Sequence, residues 1–175
     1  MAKIITVPNP ILRKKSKPIA KFDKKTTRLA EELKKAIIES YDPPGVGLSA
    51  VQIGKPLRIF VTRKNIQSKP KVLINPEIIW QSKELTDGVP GKKNRLEGCL
   101  SVPNYYGLVH RAKKIKLRWQ DEKEQWQIRK FSGFLATVIQ HEIDHLNGVL
   151  FIDRVLEQGN KLYRLEKDKL VETRL

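Results

Sequence analysis

Cysteine is almost missing from this chain of 175 residues, since Cys99 is the single one. An intrachain disulfide is therefore excluded, and nothing in the cysteine usage indicates an oxidising compartment. Long hydrophobic runs are missing as well. The N-terminal stretch has no apolar segment of signal-peptide length, and no run elsewhere is long enough to cross a bilayer. We therefore expect a cytoplasmic protein with no membrane partner.

Acidic residues are few beside basic ones, 19 against 35, which gives a formal net charge of +16. Such a surface attracts polyanions, and nucleic acid is the obvious candidate. The lysines are scattered and form no basic tract, so we expect no sequence-specific nucleic-acid binding. Ribosome association through this basic surface stays an open hypothesis.

The apolar pattern predicts an α+β fold in a single domain spanning residues 1–175. The segment Lys21 to Gly45 predicts a helix with Asp23 as N-cap and a stop at Pro43 to Gly45. The runs "LRIFVT", "KVLINPEIIW" and "KIKLRWQ" predict strands of an antiparallel sheet, and "GVGLSAVQIG" predicts a glycine-rich loop. Ser132 to Asn147 and Leu156 to Leu175 predict two further helices, of which the second is more polar.

Histidine is scarce too, and two of the three histidines lie in the stretch "QHEIDH". On a helix, His141 and His145 share one face, so both imidazoles can bind one metal ion, with Glu142 beside them as in an HExxH motif. Two ligands are too few for a catalytic site, which normally takes three from the protein. We therefore expect one more ligand from another segment. Together with the predicted strands, the expected architecture is antiparallel β-sheets around a central metal-binding helix.

Two residues compete for the position of third ligand. Glu166, on the predicted last helix, would give an arrangement like that of thermolysin-like zinc peptidases. Cys99 follows Gly98 in "EGCLSVP", where backbone can approach a ligand closely, and a thiolate binds zinc or ferrous iron strongly. We favour Cys99. A third hypothesis, a basic RNA-binding module with a structural metal, would need a fourth ligand, for which His110 is a candidate.

Three motifs in this order resemble the peptide deformylases: "GVGLSAVQ", "EGCLS" and "QHEIDH". The stretches "VPNPILRKKS" and "LNGVLFIDR" are also similar to that family, so the resemblance covers most of the chain. It implies a metal-dependent hydrolase of protein biosynthesis. Such an enzyme removes the N-formyl group from the N-terminal formylmethionine of newly made polypeptides and releases formate, and its partners are N-formylmethionyl peptides.

The resemblance also implies a role for each matching residue. Cys99, His141 and His145 would bind one divalent metal ion per chain, and Glu142 would act as general acid and base. The family usually uses Fe(II) in the cell, and we expect the same here. Zinc, nickel and cobalt also suit a Cys-His-His set, so the ligands alone do not select the ion.

Two further groups of residues would act on the substrate. The side-chain amide of Gln52 and the backbone N–H of Leu100 would stabilise the oxyanion that forms during hydrolysis. Other residues would pair with the extended peptide backbone or line the methionine pocket: Val46, Gly47, Gly98, Phe134 and Val138.

The chain departs from the family pattern at several positions. Ser49 replaces the alanine that is usual in the first motif, and its added hydroxyl needs a partner. Tyr106 and His110 stand where many bacterial members have arginine and proline. The segment Gln81 to Leu96 predicts an exposed loop, longer than in compact members. These departures leave the peptide preference open.

The charged pair Asp144 and Arg111 matches family positions as well. We expect these two residues to form a salt bridge behind the metal ligands. Such a bridge would steady the metal-bearing helix.

Overall fold

The computed structural model describes residues 2–41 and 44–174, and over these residues it is an α+β protein with antiparallel sheets. The helices are α1 (Lys24–Ile38), α2 (Gly133–Leu146) and α3 (Phe151–Glu157). The strands are β1 (Gly47–Ser49), β2 (Ile59–Thr62), β3 (Lys71–Gln81), β4 (Glu97–Cys99), β5 (Val102–Gly107), β6 (Lys114–Gln120), β7 (Trp126–Ser132), β8 (Leu162–Glu166) and β9 (Lys169–Thr173). None of the helices within the described ranges combines the length and the apolar character needed to cross a bilayer.

The strands form two sheets on either side of α2. The first sheet has the order β1-β2-β3-β6-β7, and the second has the order β4-β5-β8-β9. Helix α2 packs against the first sheet, where Ile139 and Leu146 join Phe60 and Leu117 in a buried cluster. Strands β1 and β4 therefore lie at the edges of their sheets, and the expected arrangement of antiparallel sheets around a central helix is confirmed.

The predicted N-terminal helix is confirmed as α1. The Asp23 side chain accepts hydrogen bonds from the backbone N–H groups of Lys25 and Thr26, at 2.8 and 3.1 Å. This capping satisfies donors that the first helical turn leaves unpaired. The helix ends at Ile38. Pro43, part of the predicted stop, lies outside the described residues.

The three predicted strands are confirmed as β2, β3 and β6, but the prediction of a loop for "GVGLSAVQIG" is wrong in part. Gly47–Ser49 pairs with Phe60–Thr62 as strand β1, and Ala50–Ile53 forms a short 3-10 helix. Leu48 is fully buried in this segment. Tertiary pairing with β2 thus overrides the weak strand preference of a glycine-rich stretch.

The C-terminal helix predicted for Leu156 to Leu175 is wrong. Helix α3 ends at Glu157, and the chain continues as the β8–β9 hairpin. Gly159 has φ of +67°, a backbone conformation that terminates a helix and favours glycine. Strand β8 then pairs with β5, which extends the second sheet and satisfies its backbone groups. The polar sequence of this hairpin concealed its strand character, since its outer face is solvated.

The segment between β3 and β4 is mostly exposed, as predicted for Gln81 to Leu96, although Thr86 and Val89 are buried. The backbone carbonyl of Thr86 lies 2.9 Å from the Nδ1 atom of His110. This contact ties the loop to the segment that follows β5.

Candidate metal centre and active site

The three predicted metal ligands come together between the two sheets. Ligand atoms of Cys99, His141 and His145 all lie within 4.8 Å of one another, and Cys99 Sγ is 3.1 Å from His145 Nε2. Helix α2 presents both imidazoles on one face, and the end of β4 brings the thiol from the other sheet. Donors around one tetrahedral ion of the zinc type lie roughly 3.3 to 3.6 Å apart, so this set fits such an ion.

The chemistry of the donor set also suits a metal. Burial lowers the pKa of His145 well below its usual value, which keeps the imidazole in the neutral form that binds metal ions. The Nδ1 atom of His141 lies 3.0 Å from Glu97 Oε2. Metal-binding histidines usually donate their second ring N–H to a carboxylate in this way, which leaves Nε2 available for the ion.

Glu97 is a buried carboxylate that sequence reasoning did not assign to a role. Although burial alone raises the pKa of Glu97, the charge of Arg111 and the hydrogen bonds from His141 and Arg111 outweigh this effect and hold the pKa at about 2. The group therefore stays ionised and can accept from His141. The only signal in the sequence was its place at the start of "EGCLS", one step before the glycine.

The expected salt bridge between Asp144 and Arg111 is confirmed, at 2.8 Å, and it belongs to a larger buried network. Arg111 also donates two hydrogen bonds to Glu97, at 2.5 and 2.9 Å, and Asp144 also accepts from Arg154 at 2.7 Å. Because Glu97 is on β4 and Asp144 is on α2, Arg111 links the strand that carries Cys99 to the helix that carries the histidines.

Glu142 lies beside the metal ligands with its carboxylate enclosed. Burial raises its pKa, and the hydrogen bond from Ser49 opposes this shift. A side chain at Gly47 would place Cβ 2.3 Å from Glu142 Oε1. The absence of a side chain at Gly47 therefore leaves space for the carboxylate in its present position. From the sequence, Gly47 was expected to contribute only to peptide binding.

The side-chain amide of Gln52 has a fixed orientation. Its Oε1 accepts a hydrogen bond from the Ser49 backbone N–H at 2.8 Å, and its Nε2 donates to Ser101 Oγ at 3.0 Å. A backbone N–H can only donate, so the carbonyl oxygen must face Ser49 and the NH₂ group must face the other way. That NH₂ group lies 3.7 Å from Cys99 Sγ, next to the candidate metal centre.

A cavity of about 750 Å³, hereafter the cleft, opens between β1, β4 and α2. The predicted site residues that line it are Val46, Gly47, Gln52, Gly98, Cys99, Leu100, Phe134, Val138, His141 and Glu142. His145 is buried behind the wall, with 1% of its surface exposed. The structure thus brings every predicted site residue to one place.

Arg63 is a second residue that sequence reasoning missed. It is buried, and it donates to the backbone carbonyls of Gly45 at 2.7 Å and Ile37 at 3.1 Å. These bonds hold the entry to β1 against the end of α1. A lone arginine after a strand normally indicates a solvated charge, so the sequence held no signal for this role.

The ligands required by the two alternative hypotheses lie elsewhere. Glu166 is exposed on β8, 3.6 Å from Arg164, and the metal-ligand cluster found among the described residues does not include it. His110 is also outside that cluster. The structure therefore supports neither the peptidase site completed by Glu166 nor a closed structural site completed by His110.

Comparison with known proteins agrees with this geometry. The family model for polypeptide deformylase matches residues 1–161. The chain is 43% identical over 155 residues to a peptide deformylase of Bartonella quintana (strain Toulouse), covering 87% of this chain and 82% of that protein. It is 38% identical over 174 residues to one of Mesorhizobium japonicum, covering 95% and 93%. The crystal structure of peptide deformylase from Thermotoga maritima superposes with a TM-score of 0.77 at 37% identity, covering 88% and 97%. The chain therefore belongs to the polypeptide deformylase family of metal-dependent hydrolases.

Proposed function

We propose that this protein removes the N-formyl group from the N-terminal formylmethionine of newly made polypeptides and releases formate. The observation that carries the proposal is the position of the buried Glu142 carboxylate beside the Cys99, His141 and His145 cluster, at the base of a cleft between two sheet edges. Such a site suits hydrolysis of an amide at the end of an extended chain.

The substrate peptide would bind as an additional strand. Strands β1 and β4 are the edge strands that border the cleft, and Val46, Gly47 and Gly98 lie along it. Backbone hydrogen bonds at such edges do not depend on the side chains of the peptide, so many sequences can bind. Selectivity would then come from the methionine pocket, to which we assign Phe134 and Val138 together with Val46.

The residues around the cleft divide the chemistry between them. When bound, a divalent ion supplies a Lewis acid and a water of lowered pKa. Glu142 accepts the proton of the attacking water and returns it to the departing amine as the formyl C–N bond breaks. Its raised pKa brings it closer to neutral pH, which suits both directions of transfer. The Gln52 amide and the Leu100 backbone N–H donate to the formyl oxygen as it gains negative charge.

The proposed metal ion in the cell is Fe(II), one per chain. A thiolate and two imidazoles suit ferrous iron, and they also suit zinc, nickel and cobalt. A preparation made without added iron would therefore contain whichever of these ions was available. The family membership supports iron as the working ion.

The wider setting is proposed from charge and from the reaction itself. New formylated polypeptides emerge from ribosomes, so we place the protein in the cytoplasm and treat residues 1–175 as one catalytic domain. A net charge of +16 would favour contact with ribosomal RNA through general electrostatic attraction, without sequence-specific binding. No membrane partner is proposed.

An anaerobic assay tests the proposal directly. The protein is mixed with formyl-Met-Ala-Ser, formate is measured, and the metal content of the same sample is determined. We expect one formate for each unblocked Met-Ala-Ser, in proportion to bound metal. Acetyl-Met-Ala-Ser serves as the control and should react far more slowly. Cleavage of the Met-Ala bond, or metal-loaded protein without formate release, would contradict the proposal.

A further inference from the structure

We propose that the β8–β9 hairpin forms an outer wall of the substrate cleft, and that Asp168 at its turn favours peptides with a basic residue shortly after formylmethionine. The inference rests on the proposed function and adds a substrate preference to it. Its starting point is that Leu165 and Asp168 line the same cavity as Glu142. Both residues lie beyond residue 161, where the match to the family model ends.

Strand pairing determines where the hairpin turn lies. Strand β8 runs antiparallel to β5, with Tyr106 opposite Tyr163 and Tyr105 opposite Arg164. Continuing this register carries the turn towards the beginning of β5, next to the segment that joins Cys99 to β5. The turn residues Lys167 and Asp168 have φ of +45° and +64°, as expected for a tight two-residue hairpin turn. The turn is therefore held at the rim of the cleft by the second sheet.

The carboxylate of Asp168 has no cation within salt-bridge distance among the residues that the structure describes. The other acidic residues of the hairpin are paired, since Glu166 lies 3.6 Å from Arg164 and Glu172 lies 2.7 Å from Lys161. Asp168 is thus an exposed carboxylate at the rim whose charge is available to a substrate.

Leu165 adds to the preference. Leu165 is half-buried in the cleft wall, so it offers an apolar surface to the methylene groups of a lysine or arginine side chain. Lys92 also lines the cleft and keeps its positive charge, but its ammonium group is tied by a hydrogen bond to the Leu96 backbone carbonyl at 3.4 Å, on the loop before β4 and not on the hairpin. A basic side chain in the peptide would therefore find both an apolar contact and an unpaired negative charge.

The test compares peptides that differ only in charge. Values of kcat/KM are measured for formyl-Met-X-Ala-Ser and formyl-Met-Ala-X-Ser, where X is lysine, glutamine or glutamate. We expect lysine to be preferred over glutamate by about two- to fivefold at one of these positions, the size typical of an exposed ion pair. Added salt should reduce the preference, because screening weakens exposed charge pairs.

Two variants assign the preference to Asp168. Asp168→Asn should lower the lysine-to-glutamate ratio to about one, and asparagine tolerates the positive φ of this turn, so the hairpin should be retained. Glu172→Gln is the matched control, because Glu172 is on the same hairpin but does not line the cleft. This control should keep the wild-type ratio.

The inference is overturned if the ratio at both positions is the same in Asp168→Asn as in the wild type, or if the wild type shows no preference. Absence of formate release from every formylated peptide would instead contradict the proposed function. The two failures are therefore distinguishable in one set of measurements.

Discussion

The hydroxyl of Ser49 lies 2.6 Å from Glu142 Oε2, and both side chains are buried. Ser49 is the position at which the first motif departs from its usual alanine, and the structure gives the added hydroxyl its partner. The other carboxylate oxygen, Oε1, lies 2.3 Å from the position that a Cβ atom at Gly47 would take, so it occupies space that the glycine leaves free. Strand β1 thus determines the orientation of a carboxylate that belongs to helix α2.

Ser49→Ala removes this orienting contact without adding bulk. We expect kcat on formyl-Met-Ala-Ser to fall by about three- to tenfold, because a typical intramolecular hydrogen bond makes a net contribution of about 0.5–1.5 kcal/mol. KM and metal content should stay near the wild-type values, since neither the peptide nor the metal ligands are touched. Steady-state kinetics with metal analysis measure this. Ser68→Ala, which removes an exposed hydroxyl that donates to Asn65, is the control. Equal kcat in both variants would remove Ser49 from the catalytic arrangement.

Gly47→Ala should have a larger effect. Its Cβ would lie 2.3 Å from Glu142 Oε1 and 2.9 Å from Val138 Cγ1, so the flexible carboxylate must move. Displacement of a catalytic group by about 1 Å typically lowers the rate about a hundredfold. Gly45→Ala is a matched comparison, because its nearest contacts are 3.2 Å or longer and do not involve Glu142. A Gly47→Ala protein that retains its metal and full kcat would contradict this explanation of the glycine.

The sequence was informative wherever local spacing and chemistry act together. His141 and His145 are one helical turn apart, so their shared face followed from helix geometry, and Cys99 was selected by the affinity of a thiolate for transition metals. Helix α1 was likewise predictable, because its N-cap and its apolar face are local signals.

The remainder depended on contacts between distant segments. The β8–β9 hairpin forms because β5 offers a sheet edge, which no local pattern in Leu162 to Thr173 reveals. Arg63 acquires its role only when the ends of α1 and the start of β1 meet around it. Arg63 and Glu97, whose partners come from other elements and to which no motif gave a role, therefore could not be assigned before the fold was known.

Arg111 should be essential for stability. Its side chain is 5% exposed and pairs with both Glu97 and Asp144, so Arg111→Leu would remove the cation that these two buried carboxylates share. Glu97 would keep its contact with His141, and Asp144 would keep Arg154, which is partly exposed. Breaking a buried pair in this way typically costs about 3–5 kcal/mol. Arg118→Leu is the control, because its pair with Glu77 is exposed and such pairs contribute roughly 0–1 kcal/mol. Urea unfolding of both variants measures the difference. Similar midpoints would show that the buried network contributes little.

Cys99→Ala should lose most of the bound metal, because the thiolate would be the third ligand of a set whose donors already meet. Glu166→Ala should keep both metal and activity, since Glu166 is exposed on β8 and outside the cluster. Metal analysis after gel filtration, followed by the formate assay, separates the two variants. The opposite pattern would favour the peptidase hypothesis.

Glu142→Ala tests the division of roles between the residues of the HExxH motif. If Glu142 transfers protons and does not bind the metal, the variant should keep nearly the metal content of the wild type while hydrolysis almost disappears. General acid and base groups contribute about a hundredfold to ten-thousandfold in rate, so kcat should fall by at least a hundredfold.

Gln52→Ala should lower kcat by about a hundredfold to a thousandfold through loss of an oxyanion donor. Its metal should be retained as well, because its Nε2 is 3.7 Å from Cys99 Sγ and lies outside the ligand set. Both groups act on charge that develops during the reaction, so peptide binding in the ground state should change little. Metal analysis and steady-state kinetics on formyl-Met-Ala-Ser measure these effects together. A Glu142→Ala protein that loses its metal along with its activity would make Glu142 a ligand.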